Sequence, residues 1–212
     1  MSSPTPAASQ TVSVQVAEPG AIGLFGLAMV TLVASSQKLG ITTGTSLILP
    51  WAIFLGATAQ LAAGVYDFKR NNIFGGTAFL AYAMFWYAVA MTWMVQLGIF
   101  GEKAAAIADP KQLGFGFLGY LIFTIYMTVG SMGTNKVLFI IFFLIDLLFI
   151  GLSSNVLMGS HFGHTLAAYS ELLISIFSFY GSAAVVLNHH YNKPILNVGK
   201  PFGPYIGRYD EM

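Results

Sequence analysis

Residues Val137–Met158 read VLFIIFFLIDLLFIGLSSNVLM, and Asp146 is the one charged side chain among them. A helix needs about 20 predominantly apolar residues to cross a hydrocarbon core of ~30 Å. The stretch is therefore predicted to be a transmembrane helix that carries a carboxyl group close to the middle of the bilayer.

Further apolar runs of comparable length flank this one. They cover Ala21–Ser36, Leu47–Tyr66, Phe74–Ile99, Gly114–Met132 and Leu166–Asn188. Of the 212 residues, 56% are hydrophobic and 8% are charged, whereas about 25% of a soluble domain is charged. We predict an all-α integral membrane protein. Its six-helix domain would cover residues 18–190, between a disordered cytoplasmic tail at 1–17 and a cytoplasmic tail at 191–212.

The basic residues predict the orientation of these spans. Six spans place both termini on one side of the membrane, and cytoplasmic loops carry an excess of Lys and Arg. The side of the termini holds Lys69, Arg70, Lys136, Lys193, Lys200 and Arg208, and the other side holds Lys38, Lys103 and Lys111. We therefore expect cytoplasmic termini in a multi-pass protein of the cell (plasma or inner) membrane.

Several classes of function lack support in the sequence. There is no cysteine, and the net charge of +1 does not favour nucleic-acid binding. No HExxH, GxSxG or P-loop motif occurs. His161 and His164 have a spacing that could suit a metal, but no third ligand accompanies them, nor the pair His189–His190. We expect neither a metal nor a cofactor.

Two carboxyl groups lie inside predicted spans, Asp146 in the fifth and Glu171 in the sixth. Because no Lys or Arg falls within the predicted apolar runs, both are expected to lack a basic partner. A buried, unpaired carboxyl group favours its neutral form and can relay protons. The alternative is a structural hydrogen bond between helices or subunits.

The second span contains Gly56, Gln60 and Gly64 at intervals of four residues, which share one face of a helix. The amide of Gln60 is predicted either to face a pore and bind a polar solute, or to bond a tightly packed neighbouring helix. Tyr82 in the third span and Asn155 in the fifth offer the same two alternatives, and the hydroxyl of Tyr82 needs a partner.

A family resemblance rests on residues Ala52–Trp86, which read AIFLGATAQLAAGVYDFKRNNIFGGTAFLAYAMFW. This stretch resembles the central signature of the acetate uptake transporter family. There, an AQ pair, an AG pair and an acidic residue precede K-x-x-N-x-F-G-x-T-A-F-x-x-Y-x-x-F-W, and Asp67 takes the acidic position. The resemblance continues more loosely to Asn188. It implies six transmembrane helices per protomer, a pore within each protomer and a hexameric ring.

The resemblance also implies a pore entrance at the start of the first span. The family motif N-P-A-P-L-G-L corresponds here to Glu18–Leu24, EPGAIGL. Pro19, Gly23 and Leu24 match that motif, whereas Glu18 replaces an asparagine. This replacement puts a negative charge where an anion is expected to enter.

A hydrophobic constriction of a Phe, a Tyr and a Leu is the last feature that the resemblance implies. Tyr82 matches the tyrosine, Leu27 falls where the phenylalanine stands, and Ile145 falls where the leucine stands. Asp146 occupies a position that is threonine in that pattern, so the resemblance assigns it no role.

Two functions of different class follow from these residues. The first is a channel or transporter for acetate and related small carboxylates, succinate included, in which hydroxyl and amide groups replace lost hydration water. The second is a membrane-embedded enzyme, which requires Asp146 and Glu171 to face one cavity. We expect the transporter and not an enzyme, with the lipid bilayer, a small carboxylate and further copies of the chain as its partners.

Overall fold

The computed structural model describes residues 15–202 of the chain. Within that range, six helices are long and apolar enough to cross a membrane. We number them α1 to α6, and a short helix, Glu102–Ala106, lies in the loop after α3. The six helices are α1 Gly20–Lys38, α2 Leu49–Lys69, α3 Ile73–Gln96, α4 Pro110–Ser131, α5 Lys136–Met158 and α6 His161–His190.

The six predicted spans are confirmed, and the differences lie at their ends. Helix α1 continues two residues beyond the predicted Ser36 and ends at Lys38. Helix α2 starts at Leu49, with Pro50 in its first turn, where a missing backbone N–H costs little. The predicted tails at residues 1–14 and 203–212 fall outside the described residues, as does Arg208.

The helices form a closed ring in chain order. Each helix packs against its neighbours in the sequence, and α6 packs along α1 to complete the circle. Two serines of α6 stabilise the contact with α1. Ser175 donates a hydrogen bond to the backbone oxygen of Ala28 (2.8 Å), and Ser182 donates one to the backbone oxygen of Ala21 (2.7 Å). The backbones of α3 and α4 approach each other at fewer points, since large aromatic side chains lie between them.

Helix α2 contains a π-helical segment, Ala52–Ala59, immediately before Gln60. Such segments are rare in proteins, and those that occur are often found at functional sites. Helix α1 approaches the segment closely at Gly26, where an added Cβ would lie 2.4 Å from the backbone oxygen of Leu55. Only a residue without a side chain fits there, so α1 and the widened turn of α2 are in direct backbone contact.

The turn between α2 and α3 is tight and depends on two asparagines. Asn71 adopts a left-handed backbone conformation (φ 61°), which asparagine tolerates better than most residues. The side chain of Asn72 accepts a hydrogen bond from Gly75 N (3.1 Å) and so caps α3. This turn sets the positions of Asp67 and Arg70 at the end of α2.

Residues 191–202 fold back on the end of the ring. The side chain of Asn188 exchanges two hydrogen bonds of 2.9 Å with the backbone of Leu196. Farther along, Val198 O accepts from Val137 N, and the ring of Phe202 packs on that of Phe139 (4.9 Å between centroids). The described part of the predicted C-terminal tail therefore lies against α5 and α6.

Candidate functional site

The three predicted constriction residues are all buried in the core of the ring. Leu27 on α1, Tyr82 on α3 and Ile145 on α5 belong to one continuous cluster of buried side chains. The ring of Tyr82 packs on Phe123 (5.5 Å between centroids) and on Phe142 (6.1 Å), which lies three residues before Ile145 on α5. Whether the three side chains form the narrowest point of a pore stays a prediction.

The hydroxyl of Tyr82 has the partner that its burial requires. It lies 2.9 Å from the hydroxyl of Thr124 on α4, which itself donates to Tyr120 O (2.7 Å). Tyr82 is therefore the donor of the shared hydrogen bond. This hydrogen bond connects the aromatic core residue Tyr82 of α3 to Thr124 of α4.

A row of polar side chains on α4 was missed from the sequence. Tyr120, Thr124, Thr128 and Ser131 occupy one face of this helix, and Thr124 and Ser131 are fully buried. Tyr120 donates to Ala81 O (2.9 Å) on α3. The signal was present in the sequence, since hydroxyl-bearing residues recur at intervals of four and three. The row gives the interior of the ring a polar stripe beside its aromatic cluster.

Asp146 is buried and belongs to this polar stripe. Its Oδ2 accepts a hydrogen bond of 2.7 Å from the hydroxyl of Thr128, while its Oδ1 is buried without a partner among the described residues. The hydrogen bond to a neighbouring helix, one of the two alternatives for Asp146, is therefore present, and the proton role stays a prediction. One oxygen is left for a further donor inside the ring.

Gln60 is the most completely buried polar side chain of α2. It is 0% exposed, so the expectation that it avoids lipid is confirmed within the protomer. Its two flanking glycines permit this burial, because Gly56 lies against Trp86 and Gly64 lies against the backbone of Leu80 and Gly76. Neither amide atom of Gln60 has a hydrogen-bond partner among the described residues. An unsatisfied buried polar group costs about 1–3 kcal/mol, so such a pair of atoms calls for an explanation.

The expectation that Glu171 lacks a basic partner is wrong. Lys38 Nζ lies 2.8 Å from Glu171 Oε2, and the two side chains are 16% and 2% exposed. The prediction failed because α1 extends to Lys38, whose long side chain reaches back along α6. The ring of His164 donates to Lys38 O (3.0 Å), which fixes the end of α1 at the same place. Glu171 is thus the buried half of an ion pair across the α1–α6 closure, and Lys38 is the partly exposed half.

Asn155 and Ser153 lie in the last two turns of α5. Asn155 is half-buried, and its backbone N lies beside Gly163 at the start of α6. Ser153 is buried, and its hydroxyl has no partner in the described part of the chain. Ser153 therefore offers a buried hydroxyl group in the half of α5 that lies near the start of α6.

The predicted pore-entrance residues lie where α1 begins. Gly23 lies directly against the ring of Phe79, and Leu24 lies against Gly181 of α6. Pro19 is buried and precedes the helix, whereas Glu18 is 37% exposed and forms an ion pair with Arg70. The negative charge of Glu18 is therefore neutralised by a residue of the α2–α3 turn.

Comparison with known proteins agrees with the signature in α2 and α3. Residues 2–198 match the GPR1/FUN34/yaaH family. The chain belongs to this family. It is 30% identical over 187 residues to the succinate-acetate/proton symporter SatP of Escherichia coli (strain K12), which covers 88% of the chain and 97% of that protein. The resemblance drawn from the signature is thus confirmed.

A solved structure and one further relative extend this picture. The structure of the bacterial acetate channel SatP superimposes with a TM-score of 0.81 at 27% identity, over 87% of this chain and all of that one. The ammonia transport outward protein 2 of Saccharomyces cerevisiae is 33% identical over 143 residues, which are 65% of this chain and 50% of that protein. These relatives of the family are named as transporters or as a channel.

The contacts of the two intramembrane carboxyl groups do not support the enzyme alternative. Asp146 bonds Thr128 of α4, whereas Glu171 pairs with Lys38 of α1. Among residues 15–202 they share no partner, and they bond helices on different sides of the α5–α6 pair. The carboxyl pair that acid–base catalysis requires is not assembled by these contacts.

Proposed function

We propose that this protein carries acetate and related small carboxylates, succinate included, through the interior of its six-helix ring. The amide of the fully buried Gln60 carries the proposal, because it has no partner among the described residues and offers a donor and an acceptor inside the ring. The substrate class of the bacterial relative, an acetate and succinate symporter, supports the same conclusion.

The chemistry of the interior suits a small anion with one apolar end. The proposed constriction formed by Leu27, Tyr82 and Ile145 would admit the methyl group of acetate once the acetate ion has lost its hydration water. The hydroxyl groups of the α4 stripe and the amide of Gln60 would replace part of that water. Lys38 is neutralised by Glu171, so it is no strong trap for an anion, and weak binding favours release.

Uptake of labelled acetate into proteoliposomes under an imposed pH gradient tests this function. Acetate accumulation that follows the proton gradient indicates coupling, whereas simple equilibration indicates a channel. Unlabelled succinate and ammonium serve as competitors, because one relative is named as a succinate-acetate symporter and another as an ammonia transport protein. Uptake no faster than in protein-free vesicles, or inhibition by ammonium alone, contradicts the proposal.

The constriction predicts a change of selectivity in Ile145→Ala. Removing three carbons from a side chain at the narrowest point should raise the flux of larger acids relative to acetate several-fold. Flux ratios for acetate, butyrate and succinate in proteoliposomes measure it. Ile150→Ala removes the same atoms from an exposed position of α5 and is the control. Equal flux ratios in both variants would count against the constriction. If Ile145→Ala does not fold, Ile145→Val replaces it in the test, because that substitution costs only about 0.5–1.5 kcal/mol of stability.

Asp146 is proposed to tune the pH dependence of transport without being essential for it. Asp146→Asn keeps an oxygen for the hydroxyl of Thr128 but carries no titratable proton, so flux should persist with a flatter profile between pH 5 and 8. Asp146→Leu leaves Thr128 without its partner and should lose about 1–3 kcal/mol of stability. Loss of flux at every pH in correctly assembled Asp146→Asn would make Asp146 an obligatory proton carrier and refute this role.

The orientation and assembly follow the sequence and the family resemblance. We propose cytoplasmic termini in the plasma or inner membrane and a hexameric ring of protomers. The excess of Lys and Arg on the side of the termini supports the orientation. A C-terminal reporter that is active only on the outer face would contradict the first statement. A particle mass in detergent that differs from six protomers would contradict the second.

A further inference from the structure

The end of the ring at which α1 begins and α6 ends holds an open cavity of about 580 Å³. It is lined by Gln15, Val16, Ala17, Glu18, Arg70, Val185 and His189. The segment before α1 forms one wall, α6 forms another, and the α2–α3 turn contributes Arg70. The guanidinium group of Arg70 therefore lies in the wall of a cavity at the edge of the protein.

Arg70 is held in place from behind. Its guanidinium lies 3.9 Å from Asp67 Oδ1, and Asp67 is buried and accepts a hydrogen bond from the side chain of Asn72 (3.0 Å). The other oxygen of Asp67 lies against the backbone of Gly75, where a Cβ would approach to 2.2 Å. The guanidinium thus has a buried carboxyl group at ion-pair distance on its protein side, and 32% of the side chain is exposed.

On its open side, Arg70 binds a carboxylate that belongs to the chain itself. Glu18 Oε2 pairs with the guanidinium, and Glu18 Oε1 accepts a hydrogen bond from Gly20 N (3.2 Å). A guanidinium and a backbone N–H are the donors that small carboxylates prefer. Because Glu18 lies in a non-helical segment and is 37% exposed, it is able to swing away from Arg70 without unfolding a helix.

We infer that Arg70 is a binding site for small carboxylates at this entrance, and that Glu18 is a tethered competitor for it. The ligand class rests on the proposed function, whereas the site rests on the cavity and on the ion pair within it. A free carboxylate binds Arg70 only in the fraction of molecules in which Glu18 has left. The apparent affinity is reduced by that fraction.

The competition predicts the effect of removing the charge of Glu18. An exposed ion pair contributes up to about 1 kcal/mol, so occupancy by Glu18 weakens carboxylate binding by up to about fivefold. In Glu18→Gln, the dissociation constant for acetate and the acetate concentration for half-maximal uptake are both expected to fall by about twofold to fivefold. Arg70→Gln should abolish this gain, so that Glu18→Gln/Arg70→Gln equals Arg70→Gln.

The test titrates ¹³C-labelled acetate into the purified protein by NMR and repeats the series as uptake in proteoliposomes. Glu102→Gln, an exposed charge in the loop at the opposite end of the ring, is the control and should equal the wild type. An unchanged affinity in Glu18→Gln, or an equal gain in the Arg70→Gln background, overturns the inference. An absence of acetate uptake in proteoliposomes would refute the proposed function and not this inference. In that case, the NMR titration still decides whether Arg70 binds acetate.

Discussion

Lys38→Met is expected to destabilise the protein by about 1–3 kcal/mol, the cost of leaving a buried polar group without its partner. Glu171 is 2% exposed and has Lys38 as its ion-pair partner, so the variant leaves an uncompensated carboxyl group inside the α1–α6 closure. Thermal unfolding of the detergent-solubilised protein measures the effect. Glu171→Gln should be milder, because its amide oxygen still accepts a hydrogen bond from Lys38.

The double variant separates the ion pair from simple packing. Lys38→Met/Glu171→Leu removes both charges and should recover most of the lost stability, since apolar groups of similar volume often replace a buried pair without cost. Lys103→Met makes the same exchange at an exposed position and should change stability by less than about 0.5 kcal/mol. A double variant as unstable as Lys38→Met would show that the charges are not the cause.

Gly26→Ala is the second substitution with a large expected effect. The new Cβ would lie 2.4 Å from Leu55 O and 3.1 Å from the Cβ of Ala59, so α1 must move away from the π-helical segment. Overpacking of this kind costs about 1–3 kcal/mol. Because the segment ends next to Gln60, acetate flux should fall as well. Thermal unfolding and proteoliposome uptake report the two effects.

A second glycine provides the matched control for this substitution. An added Cβ at Gly116 of α4 meets no atom within 4 Å. Gly116→Ala should therefore be neutral or gain up to about 1 kcal/mol from helix propensity. If Gly26→Ala is as stable and as active as Gly116→Ala, α1 and α2 do not require the close contact described above.

The sequence predicted the six spans because length and apolar composition decide them, and these are read directly from the residues. It also predicted burial of Gln60, since a bare amide in hydrocarbon is costly. It did not predict the π-helical segment, whose residues AIFLGATA carry no pattern that distinguishes a π-helix from an α-helix. The partner of Glu171 was missed for a different reason, because the reach of Lys38 depends on where α1 ends and on which helix lies beside it.

The candidate site was only partly accessible from the sequence. The family signature placed Tyr82, but the polar face of α4 lay outside that signature and required the four-residue spacing of Thr124 and Thr128 to be noticed. The pairing of Glu18 with Arg70 joins two segments about fifty residues apart in the chain, and no local pattern reports it. Tertiary contacts of this kind follow only from the closed ring.

Closure of the ring by α6 has a consequence for biogenesis. A nascent chain inserts its helices in order, so α1 lies in the bilayer without its partner α6 until the last helix is synthesised. Until then, Lys38 has no Glu171, and the backbone oxygens of Ala21 and Ala28 have no serine donors. A chain that stops after α5 therefore exposes a cation and an unpaired helix face to lipid. We therefore expect a chain truncated after α5 to be degraded faster in the cell than the full-length protein.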